Sequence, residues 1–184
     1  MYFNPTEKVN DLLKRFEKYS PVARRRGDEG YDWLSDDADV CVEIKNPDPN
    51  AYVGNMIIHC EDDCEFTLYY CGHSHFSPYE ENYEMMCRMA SDILNSKICA
   101  KTVFEGEERK WQCFSFERRE DIELSMWEYA CVLTDAEIDS LYMYDFEKDI
   151  MKRMKTVGGE IEYCFWDSSL SKRVKIEKAE AETE

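Results

Sequence analysis

One stretch, in which a strand pattern ends and a helix begins, decides the predicted fold: Phe66-Thr67-Leu68-Tyr69-Tyr70-Cys71-Gly72-His73-Ser74-His75-Phe76-Ser77-Pro78-Tyr79-Glu80. The alternating side chains of its first part are typical of a half-buried strand. Ser77, Pro78 and Glu80 then supply a cap, a proline and a capping-box glutamate, which start a helix. His73 and His75 stand at the corner between the two. A spacing of two puts both imidazoles on one face of an extended backbone, where they can hold a metal or line the rim of a pocket.

The same patterns, followed outward along the chain, predict about three helices and about six to seven strands. The helices are predicted to start at Asn4, Ser77 and Thr134, each a capping residue. The strands are predicted at 39–45, 52–60, 65–71, 98–104, 110–118, 125–133 and 161–165. These strands follow one another in hairpins and do not alternate with helices. That order favours an α+β fold, with a mainly antiparallel sheet on which the helices pack.

The length of the chain favours a single domain. A chain of 184 residues is long enough to bury roughly 70% of its unfolded surface in one domain, whereas two domains would be cramped. We therefore expect one α+β domain at 1–170. From Ser171 onward the residues are small or charged apart from Val174 and Ile176, so 171–184 is predicted to be a charged, disordered tail.

Charge is the unusual bulk property of this chain. Its 23 basic and 40 acidic residues give a formal net charge of −17. Such a surface repels phosphate backbones and anionic membranes, which argues against a nucleic-acid or membrane partner. It also speeds the association of a basic partner, although many acidic surfaces have no partner at all.

The sequence points to a cytoplasmic protein. Its first residues lack the basic and apolar regions of a secretory signal. No run approaches the roughly 18 apolar residues that a membrane span needs. The nine cysteines are odd in number and irregularly spaced. Without an export signal they are interpreted as mostly reduced, buried thiols in a cytosolic protein.

A zinc site built from cysteines near the predicted hairpin does not fit its geometry. With a turn at 62–63, Cys60 lies opposite Glu65, and Cys71 lies about 20 Å further along the ribbon at roughly 3.3 Å per residue. That distance is too long for shared coordination. Cys60 and Cys64 also lack the two-residue gap typical of zinc sites.

A smaller metal site remains open. His73 and His75 could form a two-histidine, one-carboxylate set with Glu80 or Glu84 of the following helix, since those two glutamates share a helix face. The same glutamates also suit a helix N-terminus, which prefers negative charge. His59 is excluded as a further ligand, because the ribbon geometry keeps it far from His73.

Catalytic motifs are few. Cys71 and His73 are close in sequence, but residues two apart on a strand have no fixed hydrogen bond between them. No nucleophile elbow, dinucleotide fingerprint or phosphate loop is present, and seven glycines leave little for building a phosphate cradle. Nucleotide-dependent chemistry is therefore not expected.

The stretch from Glu65 to Val103 resembles small bacterial α+β proteins of uncharacterised function. The resemblance lies in a Phe-Thr-Leu-Tyr strand, a His-Ser-His-Phe corner, a capped acidic helix and the strand at 98–104. Some proteins of that type are immunity proteins encoded beside secreted toxins. The resemblance implies a binding protein without catalytic machinery, and it transfers no functional residue to this chain.

We therefore expect a non-enzymatic cytosolic protein that binds a basic protein partner, with immunity-type inhibition as the concrete form. No cofactor is expected in that case. The first alternative is a metal-dependent hydrolase, in which His73 and His75 bind a divalent metal together with a helix carboxylate. The second is a small-ligand-binding domain with the binding residues Tyr69, Cys71, His73 and His75 at its pocket. The sequence leaves the oligomeric state open.

Overall fold

The computed structural model describes residues 2–49, 54–122, 127 and 132–178. Close contacts divide the chain into two compact units. The first unit contains Met1–Lys97 and Trp166–Ser168, and the second contains Ile98–Phe165 and Ser169–Glu184. The single domain expected over 1–170 stays a prediction. Within the described ranges, no helix is long and apolar enough to cross a bilayer.

The first unit is built on a five-stranded antiparallel meander in which each strand pairs with the next along the chain. Its strands are β1 (Val22–Arg24), β2 (Val40–Ile44), β3 (Met56–Cys60), β4 (Phe66–Tyr70) and β5 (Gly72–Phe76). Strand β5 lies at an edge of this sheet. The two histidines predicted at a corner are therefore on a strand of their own, which follows a turn at Cys71 with φ of 60°.

Two α-helices belong to the first unit: α1 (Val9–Arg15), flanked by 3-10 turns at Pro5–Lys8 and Glu17–Tyr19, and α2 (Glu80–Leu94). The predicted start at Asn4 is confirmed, because its side chain accepts a hydrogen bond from the backbone of Thr6. The apolar stripe of α2 faces the sheet, where the rings of Tyr83 and Phe66 lie 5.4 Å apart. This helix therefore covers the face of the sheet that carries Phe66.

The second unit contains a four-stranded antiparallel sheet in the order β7-β6-β8-β9. Its strands are β6 (Ile98–Glu105), β7 (Lys110–Arg118), β8 (Gly159–Cys164) and β9 (Lys172–Ile176). The helices are α3 (Arg119–Ile122), α4 (Asp135–Ser140) and α5 (Asp145–Val157), and a 3-10 turn spans Ser168–Leu170. A core that includes Val103, Ile138, Met151, Met154 and Ile161 lies between α4, α5 and one face of the sheet.

The backbones of β8 and β6 approach each other closely at Gly159 in the second unit. An added Cβ on Gly159 would lie 2.4 Å from the carbonyl oxygen of Phe104 and 2.6 Å from Cε of Met154. Glycine at this position lets the strand start directly under α5. Gly158 before it ends the helix with φ of 75°, a value that favours glycine, and its N–H donates to the carbonyl of Met154.

The α+β class and the antiparallel pairing are confirmed, but the expectation of one sheet is wrong, because the strands form two sheets. The expected third helix is two helices, since Leu141 and Tyr144 are extended between α4 and α5. Residues 172–176, expected in a disordered tail, form β9, in which Val174 and Ile176 provide the apolar alternation. Most of the strand predicted at 125–133 lies outside the described residues.

Candidate functional site

The strand register brings all three histidines of the chain to one face of the first sheet. His59 on β3 pairs with Thr67 on β4, and Thr67 pairs with His75 on β5. In the neighbouring row, Tyr69 pairs with His73. Paired residues share a face, as do residues two apart on one strand. We call this surface, formed by the side chains of Trp33, His59, Thr67, Tyr69, His73 and His75, the histidine face.

His73 and His75 form the exposed edge of the histidine face. Their ring centres are 5.0 Å apart and nearly perpendicular, and the ring of Tyr69 lies 5.9 Å from that of His73. Nδ1 of His75 is 2.5 Å from a carboxylate oxygen of Glu65 and 3.2 Å from Oγ1 of Thr67. Nδ1 therefore carries a proton that it donates to Glu65. In the neutral ring Nε2 is then a hydrogen-bond acceptor.

A loop folds over the inner part of the same surface. Tyr31, Leu34 and Cys41 form a buried apolar cluster against which Ile57 packs. Trp33 of this loop remains 50% exposed. Its ring lies edge-on to His59 at 5.5 Å and to Tyr69 at 6.1 Å. The loop therefore fixes an exposed aromatic ring next to Tyr69, and this arrangement is of the kind that supplies anchors at protein interfaces.

Asp39, at the end of this loop, is buried below the histidine face. It accepts hydrogen bonds from the backbone of Asp62 at 3.0 Å and of Asp36 at 3.4 Å. Nε2 of His59 lies 3.4 Å from the same carboxylate, without hydrogen-bonding geometry. His59 and Asp39 are therefore close but not hydrogen-bonded, and it is Asp39 alone that joins the loop to the turn after β3.

Cys41, a potential nucleophile, pairs with His59 in the register. Burial, followed by the charges of Asp39 and Glu43, raises the pKa of the Cys41 thiol to about 12. A thiol with this pKa is protonated near pH 7, whereas the thiolate is the reactive form. The Cys41 thiol is therefore not an activated nucleophile.

Two carboxylates lie near the half-buried ring of Tyr69. Burial raises the pKa of Tyr69, and so do the ionised form of Cys41 and the carboxylates of Glu61 and Glu65. The pKa of Cys64 is raised by burial and then by Glu61. Glu65 contacts His75, and the backbone of Glu61 donates to that of Glu65, so these two residues form an acidic border of the histidine face, with the buried Asp39 behind it. Such a border favours positively charged ligands.

Two of the three consecutive arginines at 24–26 form ion pairs with acidic groups of the first unit. Nε of Arg24 lies 2.9 Å from Glu43, and the backbone of Arg25 donates to Asp28 at 2.8 Å. The guanidinium of Arg26 lies 3.5 Å from Asp37. These contacts reduce the positive potential of the segment.

The structure does not bring the predicted metal ligands together. Glu80 is in an ion pair with Lys8 at 3.0 Å, and Glu84 forms two hydrogen bonds with Arg15 at 2.7 and 2.8 Å. His75 instead contacts Glu65. Among the residues that the structure describes, no group of three or more His, Cys, Asp or Glu side chains is arranged to hold a metal ion.

The predicted binding residues are partly brought together. Tyr69, His73 and His75 lie side by side on the histidine face, whereas Cys71 is exposed at the turn between β4 and β5. The sequence analysis missed three residues of the histidine face, Trp33, His59 and Thr67, and the three carboxylates around it, those of Asp39, Glu61 and Glu65. Strand alternation could have placed His59, but only with the correct pairing of β3 and β4.

No family model, curated protein or solved structure matches this chain.

Proposed function

We propose that this protein is a non-enzymatic cytosolic binding protein that captures a basic protein partner on the histidine face, with immunity-type inhibition as the concrete form. One observation carries the proposal. The exposed rings of Trp33 and His73 lie on either side of the half-buried ring of Tyr69, and Glu65, which contacts His75, lies with Glu61 at the border of this surface. Aromatic anchors within a polar rim are the usual composition of a protein-binding surface.

The electrostatic support comes from the whole chain. A net charge of −17 gives the protein a negative potential, which attracts a cationic partner over roughly one Debye length, about 8–10 Å at physiological salt. Complementary charge mainly raises the association rate and suppresses wrong partners. Charge thus selects the class of partner, and the aromatic rings supply short-range affinity.

The short-range chemistry suits arginine and lysine side chains. A cation over the face of a tryptophan or tyrosine ring is stabilised by about 0.5–1 kcal/mol at an exposed site. Glu61 and Glu65 can accept hydrogen bonds from the same cation, and charge-assisted bonds of this kind are stronger than neutral ones. His73 adds a ring that donates or accepts according to its protonation.

The metal-dependent hydrolase has less support from the geometry. Both helix carboxylates proposed as ligands are held by Lys8 and Arg15, and α2 lies on the face of the sheet that carries Phe66. His73 and His75 are on the opposite face, as the register of β4 and β5 requires. A metal bound by both histidines and either of these carboxylates would need ligands from opposite faces of the sheet.

The direct test uses a defined cationic probe. In ¹H–¹⁵N spectra of the full chain at low salt, the indole signals are assigned by substitution and the protein is titrated with a nona-arginine peptide. We expect the indole of Trp33 to shift at the lowest peptide concentrations. Trp111, the matched control, is 61% exposed but lies in the second unit. Equal shifts of the two indoles would show diffuse ionic attraction and contradict the proposal.

The biological test identifies a partner and then locates its contact. Candidate partners captured by the wild-type protein are purified. Their affinity is then measured for the wild type, for Trp33→Ala, for Tyr69→Ala and for the control Trp111→Ala. We expect the first two variants to weaken binding, and added salt to weaken the wild-type complex. A complex that is insensitive to salt, or that loses equal affinity in Trp111→Ala, would refute binding through the histidine face.

A further inference from the structure

A second candidate site, separate from the histidine face, is a cleft in the second unit. It encloses about 990 Å³ over the face of the sheet against which α4 and α5 pack. Four aromatic residues contribute to its lining: Trp127, Tyr142, Tyr144 and Tyr163. A volume of this size is at the upper end of the range for small-ligand sites, and an aromatic lining with a few polar groups is their usual composition.

The floor of the cleft holds a buried cation. Lys101 on β6 is only 5% exposed. Its Nζ lies 2.7 Å from Oε1 of Glu117, and 5.4 Å from the ring centre of Trp127. Ser115 donates a hydrogen bond to the same oxygen of Glu117 at 2.9 Å. A carboxylate and an aromatic face therefore already stabilise an ammonium group in this cleft.

The mouth of the cleft has aromatic rings that the described residues leave uncovered. Leu141 and Met143 pack against the core and anchor the extended segment between α4 and α5. Tyr142, which lies between these two residues in the sequence, is fully exposed, and Tyr144, which follows Met143, is 74% exposed. Tyr144 stacks on Phe146 with ring centres 5.8 Å apart. Large exposed aromatic side chains beside a cavity mark a binding surface.

The charged groups of the lining favour a cation. Its carboxylates are Glu117, Asp121 and Glu147, and its cations are Lys101 and Lys148. Lys101 is neutralised by Glu117, and Lys148 donates to the backbone of Asp139 at 3.0 Å and lies 3.8 Å from Asp145.

Asp121 is exposed and has no ion-pair partner among the residues that the structure describes. An anion entering the cleft would meet this carboxylate and Glu147. A cation would be attracted by the carboxylates of Asp121 and Glu147, and by the second carboxylate oxygen of Glu117.

We propose that this cleft binds an organic cation, a guanidinium or alkylammonium group. The group lies among the rings of Tyr142, Tyr144 and Trp127 and donates hydrogen bonds to Asp121 and Glu117. The structure fits two sources of this chemistry: a free small molecule, such as a polyamine or an arginine derivative, and an arginine side chain of a bound peptide. The site is independent of the histidine face, so either proposal can fail while the other stands.

The test compares charged and neutral probes of the same shape by isothermal titration calorimetry on the full chain. The small probes are spermidine, Nα-acetyl-L-arginine methyl ester and its neutral analogue Nα-acetyl-L-citrulline methyl ester; the peptides are an arginine tetrapeptide, acetylated and amidated at its ends, and its citrulline counterpart. Binding of the small cations with a dissociation constant of about 0.1–1 mM, without binding of citrulline, indicates a free ligand. Binding of the arginine peptide alone indicates a side-chain ligand. Equal binding of citrulline, or no binding of any cation at millimolar concentration, overturns the proposal.

Variants locate the binding. Tyr142→Ala and Asp121→Asn change exposed side chains and are expected to fold, which a thermal melt checks. Each variant is expected to raise the dissociation constant of the cation by about threefold to tenfold, because one cation–π or charge-assisted contact is lost. Tyr79→Phe and Asp37→Asn, exposed residues of the first unit, are the matched controls and should leave the dissociation constant unchanged. Equal losses in the control variants would also overturn the proposal.

Discussion

The buried carboxylate of Asp39 lies 3.4 Å from Nε2 of His59, and its two oxygens accept hydrogen bonds from the backbone of Asp62 and Asp36. One side chain thus links the loop that carries Trp33 to the turn that follows β3. Because the loop has little regular structure of its own, this link and the buried cluster of Tyr31, Leu34 and Cys41 together position Trp33.

We predict that Asp39→Ala lowers the free energy of unfolding by about 2–4 kcal/mol, because two backbone N–H groups lose their acceptor in a partly buried place. Asp39→Asn keeps one oxygen acceptor, so its cost is smaller. Asp37→Ala removes a carboxylate that is 89% exposed in the same loop, and it serves as the control. Urea unfolding of the three variants gives the comparison. If Asp39→Ala and Asp37→Ala unfold at the same urea concentration, the link is not a stabilising one.

Thiol reactivity should follow burial. Cys64 and Cys71 are exposed, whereas Cys41, Cys87 and Cys99 are buried. Burial raises the pKa of the Cys41 and Cys99 thiols to about 12 and that of Cys87 to about 11, so the reactive thiolate is scarce at pH 8. In a short pulse of iodoacetamide on the native protein, followed by peptide mass spectrometry, Cys64 and Cys71 should be alkylated first.

The same pulse in concentrated urea is the control, since unfolding removes both the burial and the shift in pKa. All the cysteines should then react at similar rates. Modification of native Cys41 as fast as Cys64 would show that the loop over the histidine face opens readily.

Thr134 and Glu137 form a capping box at the start of α4, in which each side chain bonds to the backbone of the other residue. We expect Thr134→Ala to cost about 1 kcal/mol, the usual value for a lost cap. Thr156→Ala, an exposed threonine in α5, is the control and should cost little. Thermal or urea unfolding at pH 7 measures the difference.

The capping box also predicts a pH dependence. Bonds from the backbone and side chain of Thr134 lower the pKa of Glu137 from its ordinary value of 4.5. A lowered folded pKa gives stability that is present above pH 4.5 and is lost as the pH falls through the folded pKa. The gap in stability between wild type and Thr134→Ala should therefore narrow below pH 4.5. A gap that stays constant down to pH 2 would show that Glu137 does not take part.

Local signals in the sequence predicted much of the secondary structure, because caps and alternation act over a few residues. The starts at Asn4 and Thr134 are set by side-chain hydrogen bonds to the backbone nearby. The partition of strands into two sheets is not a local property. Hairpins with similar alternation extend one sheet or begin another according to contacts far along the chain.

The candidate site was partly missed because of a one-residue error in register. With a turn at 62–63, Cys60 lies opposite Glu65, and His59 therefore lies opposite Phe66 on the core side. In the structure Asp63 is left-handed with φ of 50°, the turn is one residue longer, and Cys60 pairs with Phe66. A shift of one residue moves a side chain to the other face. His59 thus joins Thr67 and His75 on one surface, which the sequence did not predict.

The effect of added zinc on thermal stability distinguishes the proposed binding protein from the alternative of a metal-dependent hydrolase. We expect added zinc to leave the melting temperature of the full chain within about 1 °C, because a ligand stabilises a fold only when it binds the native state. The carboxylates of Glu80 and Glu84 already neutralise Lys8 and Arg15, and freeing them for a metal would leave two cations unpaired. Elemental analysis of protein purified without a histidine tag should show no stoichiometric metal.

The matched variants are His73→Ala/His75→Ala and, for the buried position, His59→Gln. A zinc-induced rise in melting temperature that disappears in the double variant and persists in His59→Gln would place a metal between the two exposed imidazoles. The histidine face would then be a metal centre, and this result would refute the proposal that it captures a basic partner.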